Sequence, residues 1–232
     1  MQNPPLTYTL EDTLAIVAMD DGKANALSDA MIDGLRAAIA RAEGEASALV
    51  LTGRADRFCA GFDLKVMMSG PANAKALLTR GSDLLMKLYG CKVPLVIACT
   101  GHALAGGALV LLTGDVRIGA AGAYRIGLNE VQIGLPVPVL AMELARDRIA
   151  PLELGRATLT AQIYAPDEAA KVGYLDEVLP AGEILARAKA EAKRLGALSK
   201  TAFAATKARL RGRTIAYIQS TLEDDIQSLM PG

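Results

Sequence analysis

Residues 101–136 combine a glycine pair, a short apolar run and one carboxylate among apolar neighbours. Gly106 and Gly107 carry no side chains, so a ligand can approach their backbone N–H groups closely. The apolar run 108–113 that follows predicts a helix beginning near Gly106. The start of such a helix aims unpaired N–H groups at a ligand, and these suit a developing negative charge such as that of an enolate oxygen.

The carboxylate of this stretch belongs to Glu130. The side chains expected to surround it are apolar: Ile126, Leu128, Val131 and Ile133. A poorly solvated carboxylate has a raised pKa, which brings it toward the range useful for proton transfer. Taken alone, the glycine pair also fits helix packing and Glu130 also fits a solvated loop, so the rest of the chain must distinguish these interpretations.

The composition is that of a globular chain without a charge imbalance. Hydrophobic residues make up 52% and charged residues 22%, and 25 Lys and Arg balance 25 Asp and Glu. This balance, with no basic stripe among aromatic residues, argues against binding to nucleic acid or to a membrane surface. The N-terminal residues lack the pattern of a signal peptide, and no apolar run reaches membrane-spanning length. We therefore expect a cytoplasmic protein.

The cysteines and the histidine do not form a metal-binding pattern. Cys59, Cys91 and Cys99 lack ligand spacing and His102 is the only histidine, so we expect no metal site. Unpaired cysteines also favour a reducing compartment. A nucleophilic pair of Cys59 and His102 is conceivable if their loops meet, although no orienting Asp or Asn is evident. The chain has no phosphate-loop or dinucleotide-binding fingerprint, and we expect no cofactor.

The order of predicted strands and helices indicates a mixed α/β fold. Apolar runs predict strands over 6–10, 13–19, 48–52, 94–99 and 116–118. Helical spacing of apolar residues predicts helices over 28–42, 71–89, 139–148, 152–159, 181–195 and 200–229. Residues 165–180 read as a helix, a glycine stop and a short strand.

Two glycine-containing loops, 59–63 and 103–109, are separated in the chain, and each is expected to follow a strand. Two backbone N–H donors from different loops are what an oxyanion hole requires. A thioester oxygen fits between two such donors. The loops therefore predict a site that stabilises negative charge on oxygen.

Five segments resemble the crotonase superfamily, also called the enoyl-CoA hydratase/isomerase family, in order and spacing. They are GKANAL at 22–27, FCAGFDLK at 58–65, PLVIACTGHALAGGALVLLTGD at 94–115, YRIGLNEVQIGL at 124–135 and PDEAAKVGYLDEVLP at 166–180. The resemblance implies an α/β fold, a crotonase-like spiral of ββα units over residues 1–180. It implies a helical C-terminal trimerisation region over 181–232 within one continuous domain. It also implies homotrimers or hexamers and acyl-CoA substrates, with CoA entering as part of the substrate.

The resemblance further implies roles for individual residues. The two oxyanion donors fall on Phe62 and Gly106, and the second of the two hydratase glutamates falls on Glu130. The first hydratase glutamate falls on Leu109, so the chain departs from the hydratase pattern there. Residues implied in binding the substrate and CoA are Lys23, Ala24, Ala60, Asp63, Leu64, Lys65 and Leu109.

Three lysines are candidates for contact with the CoA nucleotide. Lys23 and Lys65 lie in segments that contact it in the family, and an ammonium group suits phosphate as a point charge. Lys207 could reach the nucleotide from the C-terminal helix of the same or a neighbouring subunit. Each of these residues also fits a solvated surface lysine.

Position 109 carries leucine rather than glutamate, and this difference favours isomerisation over hydration. Hydration is helped by two carboxylates that hold and activate water, and leucine can do neither. Moving a double bond from the 3 to the 2 position needs one base, which takes a proton from C2 and returns it at C4. The segment around Glu130 also resembles the single-glutamate isomerase branch. We therefore expect an enoyl-CoA isomerase; the alternatives are hydration, another crotonase reaction, or acyl-CoA binding without turnover.

Overall fold

The computed structural model describes residues 4–229, and within them the chain forms nine strands and nine α-helices. The strands are β1 (Leu6–Glu11), β2 (Leu14–Met19), β3 (Ala48–Thr52), β4 (Asp56–Cys59), β5 (Leu95–Cys99), β6 (Gly101–Leu104), β7 (Val116–Ala120), β8 (Ile126–Gly127) and β9 (Glu177–Leu179). The helices are α1 (Asp29–Glu45), α2 (Leu64–Met67), α3 (Pro71–Tyr89), α4 (Gly106–Leu112), α5 (Val139–Arg148), α6 (Leu154–Thr158), α7 (Pro166–Val172), α8 (Ile184–Gly196) and α9 (Lys200–Leu229). None of these helices has the length and apolar character needed to cross a membrane.

The strands form two sheets, a large one in the order β1-β2-β3-β5-β7-β9 and a small one in the order β4-β6-β8. β1 pairs antiparallel with β2, and the other pairs of named strands are parallel. From β3 onward, each turn of the chain adds one strand to the large sheet, one to the small sheet, and then a helix. Three such turns confirm the predicted spiral of strand–strand–helix units.

The central strands of the large sheet, β3 and β5, are buried on both faces, as their continuous apolar runs predict. On one face, Ile184, Ala188 and Ala192 of α8 pack against alternate strand residues. The other face packs into the main core together with α1, α3 and α4. The apolar side of α8 is therefore buried within the chain itself.

A buried group of charges fixes α9 to the rest of the chain. Asp115 accepts a hydrogen bond from Lys207 Nζ at 2.7 Å and lies 3.0 Å from Arg211 Nη2. It also accepts the Leu95 N–H at 2.7 Å, so Asp115 has a structural role at the turn before β7. Because Lys207 is buried against Asp115, the expectation that it reaches the CoA nucleotide is wrong for this subunit.

The three strands of the small sheet are not predicted by the sequence pattern. They contain only four, four and two residues, and glycine or charged residues interrupt their apolar positions. Residues 103–109, predicted as a loop after the strand at 94–99, instead contain the end of β6 and the start of α4. The loop 59–63 likewise follows β4 rather than β3.

Candidate active site

The small sheet brings together three loops that carry predicted site residues. Phe62 follows β4, Gly106 follows β6 and Glu130 follows β8. Because these strands are parallel, their carboxyl ends lie at one edge of the sheet. The Ala105 N–H also donates to the Gly127 carbonyl at 3.1 Å, so the last two loops leave the sheet side by side.

The two glycine loops are in direct contact. A Cβ atom added to Gly61 would lie 3.1 Å from the backbone nitrogen of Gly106. A Cβ atom added to Gly106 would lie 3.2 Å from the Gly61 Cα. Gly61 also has a φ of +96°, a conformation that favours glycine. The backbone N–H groups of the two loops therefore lie close enough to serve one ligand.

The Phe62 N–H is left available by the way its loop is bound. The Leu27 N–H donates to the Gly61 carbonyl at 2.8 Å, and the Leu27 carbonyl accepts from the Asp63 N–H at 3.3 Å. In a parallel bridge of this kind, the residue between, Phe62, directs its own N–H the other way. Within residues 4–229 no backbone acceptor lies on that N–H.

Gly106 is the first residue of α4, which confirms the predicted helix start. N–H groups in the first turn of a helix have no acceptor within the helix. The preceding residue, Ala105, has a φ of +47° and a ψ of −123°, which is strained for a residue with a side chain. Backbone strain of this kind is concentrated at functional sites.

Gly107 has a packing role, whereas the sequence predicted that it lets a ligand approach the backbone. A Cβ atom on it would collide with the backbone carbonyl of Cys59. Glycine is therefore needed where α4 crosses the end of β4, and not to admit a ligand. Of the glycine pair, only Gly106 is the predicted donor.

Glu130 is 7% exposed, but its surroundings differ from those predicted. Leu128 is fully buried, whereas Val131 is 45% and Ile133 55% exposed, because residues 131–133 form a 3₁₀ helix at the surface. Burial nevertheless raises the pKa of Glu130 above its ordinary value. Its Oε2 atom has no hydrogen-bond partner in the part of the chain described. The carboxylate is thus desolvated and available as a base.

Leu109 lies one helical turn after Gly106, with its N–H donating to the Ala105 carbonyl at 3.1 Å. Its side chain and that of Phe62 line a narrow, mainly apolar cavity of about 30 Å³ between α3, α4, α5 and α9. The other lining residues are Leu78, Ser82, Leu85, Pro138, Leu140, Leu222, Asp225, Ile226 and Leu229. The lining suits an aliphatic group, but the volume is close to that of one water molecule, so the cavity must widen to admit an acyl chain.

Two residues predicted to bind CoA join neighbouring loops. The Ala60 N–H donates to the Ala24 carbonyl at 3.1 Å, so the loops 20–26 and 59–63 meet. Lys23 is exposed, and its carbonyl accepts a hydrogen bond from Arg54 at 2.8 Å. The exposed ammonium group is free to approach a phosphate, and this role stays a prediction.

The other predicted CoA-binding residues lie at the start of α2. The Asp63 carboxylate caps this helix by accepting the Lys65 N–H at 2.9 Å, which gives Asp63 a structural role. Leu64 is 67% exposed, and Lys65 is also exposed. Their contacts with a substrate stay predictions.

Asn25 is a site-supporting residue that the sequence analysis misses. It is fully buried, and its Nδ2 donates to the carbonyls of Met19, Arg57 and Phe58 at 3.0, 3.1 and 3.2 Å. It therefore ties the loop 20–26 to β4. The sequence feature that could have identified Asn25 is an asparagine in a turn. Asparagine tolerates a positive φ there, and the φ of Asn25 is +54°.

Asn25→Ala is expected to lower the free energy of unfolding by about 1–3 kcal/mol, because buried carbonyls lose their donor. Urea denaturation measures this change. Asn73→Ala is the matched control, since Asn73 is exposed and bonds only to Ser69 in the described structure. Equal stability of the two variants would contradict the anchoring role of Asn25.

The alternative of a nucleophilic Cys59–His102 pair is wrong. Burial raises the pKa of Cys59 to about 12, so the thiol stays protonated at neutral pH. In the β4–β6 register, His102 lies opposite Arg57, and its Nδ1 accepts the Arg125 N–H at 3.0 Å. Residues 4–229 also contain no group of three His, Cys, Asp or Glu side chains placed to hold a metal.

Comparison with known proteins agrees with this geometry. The sequence model of the enoyl-CoA hydratase/isomerase family matches residues 9–229. Human enoyl-CoA delta isomerase 1, a mitochondrial protein, is 30% identical over 222 residues, which are 94% of this chain and 74% of that protein. A probable enoyl-CoA hydratase of Rhodobacter capsulatus is 33% identical over 210 residues, which are 87% of this chain and 79% of that protein.

A solved structure shows the same fold. The crystal structure of an enoyl-CoA hydratase/isomerase family protein from Pseudomonas syringae has a TM-score of 0.95 at 35% identity. The match covers 97% of this chain and 98% of that one. The chain therefore belongs to the enoyl-CoA hydratase/isomerase family, the crotonase superfamily, and is an acyl-CoA enzyme.

Proposed function

We propose that this enzyme is an enoyl-CoA isomerase, which moves the double bond of an acyl-CoA from the 3 to the 2 position. The observation that carries the proposal is a single desolvated carboxylate, Glu130, whose loop lies beside two free backbone donors. Leu109 occupies the position where the family resemblance implies a second glutamate in hydratases. One base is sufficient for isomerisation.

The proposed reaction uses each group in turn. The N–H groups of Phe62 and Gly106 hold the thioester oxygen, and the Glu130 carboxylate takes a proton from C2. The electron pair of that C–H bond passes to the thioester oxygen, where the two donors stabilise the enolate. When the pair returns, it forms the double bond between C2 and C3, and the electron pair of the former C3–C4 double bond takes the proton from Glu130 at C4.

The apolar lining of the cavity beside Leu109 and Phe62 supports an aliphatic acyl group beyond the thioester, for which this narrow cavity must widen. The exposed lysines 23 and 65 suit the phosphates of CoA. Both isomerases and hydratases occur among the named relatives, which are enzymes; this favours turnover over acyl-CoA binding alone.

An assay panel of 3-enoyl-CoA and 2-enoyl-CoA thioesters, read for isomerisation, hydration and hydrolysis, tests the proposal. We expect 3-enoyl-CoA to be converted to 2-enoyl-CoA, with little hydration of 2-enoyl-CoA. Hydration faster than isomerisation would instead support the hydratase alternative.

Leu109→Glu is expected to introduce hydration of a 2-enoyl-CoA, because it supplies a second carboxylate that can hold and activate water. The new charge is buried, so it also lowers stability unless it is solvated or paired. Leu109→Gln is the matched control, since it has a similar size without the carboxylate. A folded Leu109→Glu variant that hydrates no better than Leu109→Gln would show that other cavity residues exclude water.

We also propose that the chain assembles as a homotrimer, alone or paired into a hexamer. The family resemblance supports this assembly. Sedimentation equilibrium at micromolar concentration is expected to give three or six times the mass of the chain. A stable monomer under those conditions would overturn the proposal.

A further inference from the structure

Four buried polar atoms near Glu130 have no hydrogen-bond partner among the residues described: Asn129 Oδ1, Glu130 Oε2, Tyr164 OH and Tyr174 OH. An unsatisfied buried polar group costs about 1–3 kcal/mol, so such a group of atoms needs an explanation. The proposed isomerisation uses Glu130 and leaves both tyrosines without a role.

Tyr174 is the member of this group that lies deepest. Its side chain is fully buried, and its hydroxyl lies near the backbone of Leu128, two residues before Glu130. Burial raises the pKa of Tyr174, the contact with the Leu128 backbone lowers it by a smaller amount, and the nearby Glu130 charge raises it further. The phenol is therefore neutral and within the electrostatic range of the Glu130 carboxylate.

Tyr164 packs beside Tyr174 and is the member of the group nearer to the surface. Its ring centroid lies 5.8 Å from that of Tyr174, with the planes tilted by 43°. Its backbone exchanges hydrogen bonds of 2.9 and 3.0 Å with Ile126 of β8, which holds it beside the strand leading to Glu130. Tyr164 is 5% exposed and its hydroxyl oxygen is buried, while the residue forms part of the wall of a cavity at the surface.

This outer cavity has a volume of about 400 Å³ and is lined by Arg156, Thr160, Gln162, Tyr164 and Glu168. It shares no lining residue with the narrow cavity beside Leu109 and Phe62. The outer cavity is mainly polar in its side chains, so it suits water rather than an acyl chain. Tyr164 thus belongs both to the wall of the outer cavity and to the pair of tyrosines, and Tyr174 is the member of that pair influenced by the Glu130 charge.

We propose that Tyr174 and Tyr164 form a proton path between Glu130 and the outer cavity. Each hydroxyl accepts a proton on its oxygen and releases its own hydrogen to the next oxygen, so both phenols stay neutral. Buried water satisfies polar groups of this kind and bridges oxygens that do not touch. The path lets the proton that Glu130 takes from C2 exchange with solvent before C4 is protonated. It rests on the proposed isomerase activity.

The test follows deuterium through one conversion. A 3-hexenoyl-CoA carrying two deuterium atoms at C2 is isomerised in ordinary water, and the product is analysed by mass spectrometry at low conversion. A product with two deuterium atoms reports direct transfer from C2 to C4, and one with a single deuterium reports exchange. We expect mainly exchange for the unmodified enzyme, and a several-fold larger share of direct transfer for Tyr174→Phe and Tyr164→Phe.

Tyr217→Phe is the matched control, because Tyr217 is 50% exposed on α9 and its variant should exchange like the unmodified enzyme. A purely structural role for Tyr174 would change kcat/KM or stability without changing the isotope distribution. The same distribution for Tyr174→Phe as for the unmodified enzyme would overturn the path, and so would direct transfer in the unmodified enzyme.

Failure of the proposed function gives a separate result. If no 3-enoyl-CoA is isomerised, the path is measured from exchange of the C2 hydrogens of butanoyl-CoA in deuterium oxide. That exchange needs only Glu130 and the two N–H donors. Slower exchange in Tyr174→Phe supports the path, whereas equal exchange, or none in either protein, overturns it.

Discussion

Replacing Glu130 with glutamine is expected to slow isomerisation by a factor on the order of 10²–10⁴, the usual contribution of general acid–base catalysis. Glutamine keeps the size of the side chain and removes the group that carries the proton, so acyl-CoA should still bind. Steady-state rates with a 3-enoyl-CoA and calorimetric titration with its product measure the two effects. Glu183→Gln is the matched control, since Glu183 is exposed.

An unchanged rate in Glu130→Gln would show that the single-base mechanism is wrong. If neither protein converts any enoyl-CoA but both bind CoA thioesters equally, the chain binds without turnover.

The pH profile gives a further readout, because Glu130 must be ionised to accept the C2 proton. Burial raises its pKa, so kcat/KM should fall with decreasing pH earlier than for a solvated glutamate. Glu130→Gln should lack this step.

Gly106→Pro is expected to lower kcat by a factor on the order of 10²–10³, as for other lost oxyanion donors. Proline removes the N–H that we assign to the thioester oxygen. The first position of a helix tolerates proline, but the φ of +47° and ψ of −123° at Ala105 lie outside the region that proline favours for the preceding residue, so the fold of the variant must be verified. Initial rates with a 3-enoyl-CoA measure the effect, and circular dichroism checks the fold.

Gly106→Ala separates the lost donor from the added bulk. It keeps the N–H, and its Cβ would lie 3.1 Å from the nearest atom of the Phe62 ring, which can move by a few tenths of an ångström. We therefore expect a much smaller loss of rate than for Gly106→Pro. Near-normal turnover by a folded Gly106→Pro variant would remove Gly106 from the oxyanion hole.

Most of the large sheet and most long helices follow from the sequence. Continuous apolar runs predict β3 and β5, and the prediction for α3 matches its observed bounds. The small sheet cannot be read in this way. β8 has two residues, and β6 contains glycine and histidine, so no hydrophobic period identifies them. Their pairing depends on tertiary contacts that local pattern does not encode.

The same limit applies to the site. The helix start at Gly106 was predictable, because a glycine pair before an apolar run has a local signature. The packing role of Gly107 was not, since it depends on the Cys59 carbonyl, which lies far away in the chain. The exposure of Val131 and Ile133 depends on the 3₁₀ helix at the surface. The Asn25 contacts likewise form only once β4 is in place.

A different reaction can be engineered onto this chain through a single loop. Close backbone contacts at Gly61 and Gly107 fix the ends of β4 and β6, and the donors that we propose there are backbone N–H groups, which substitutions elsewhere leave in place. The third strand, β8, pairs over only two residues, and the segment 131–135 after it is exposed. We therefore expect a library of variants confined to residues 128–138 to change the reacting side chains while the proposed backbone donors to the thioester stay in place.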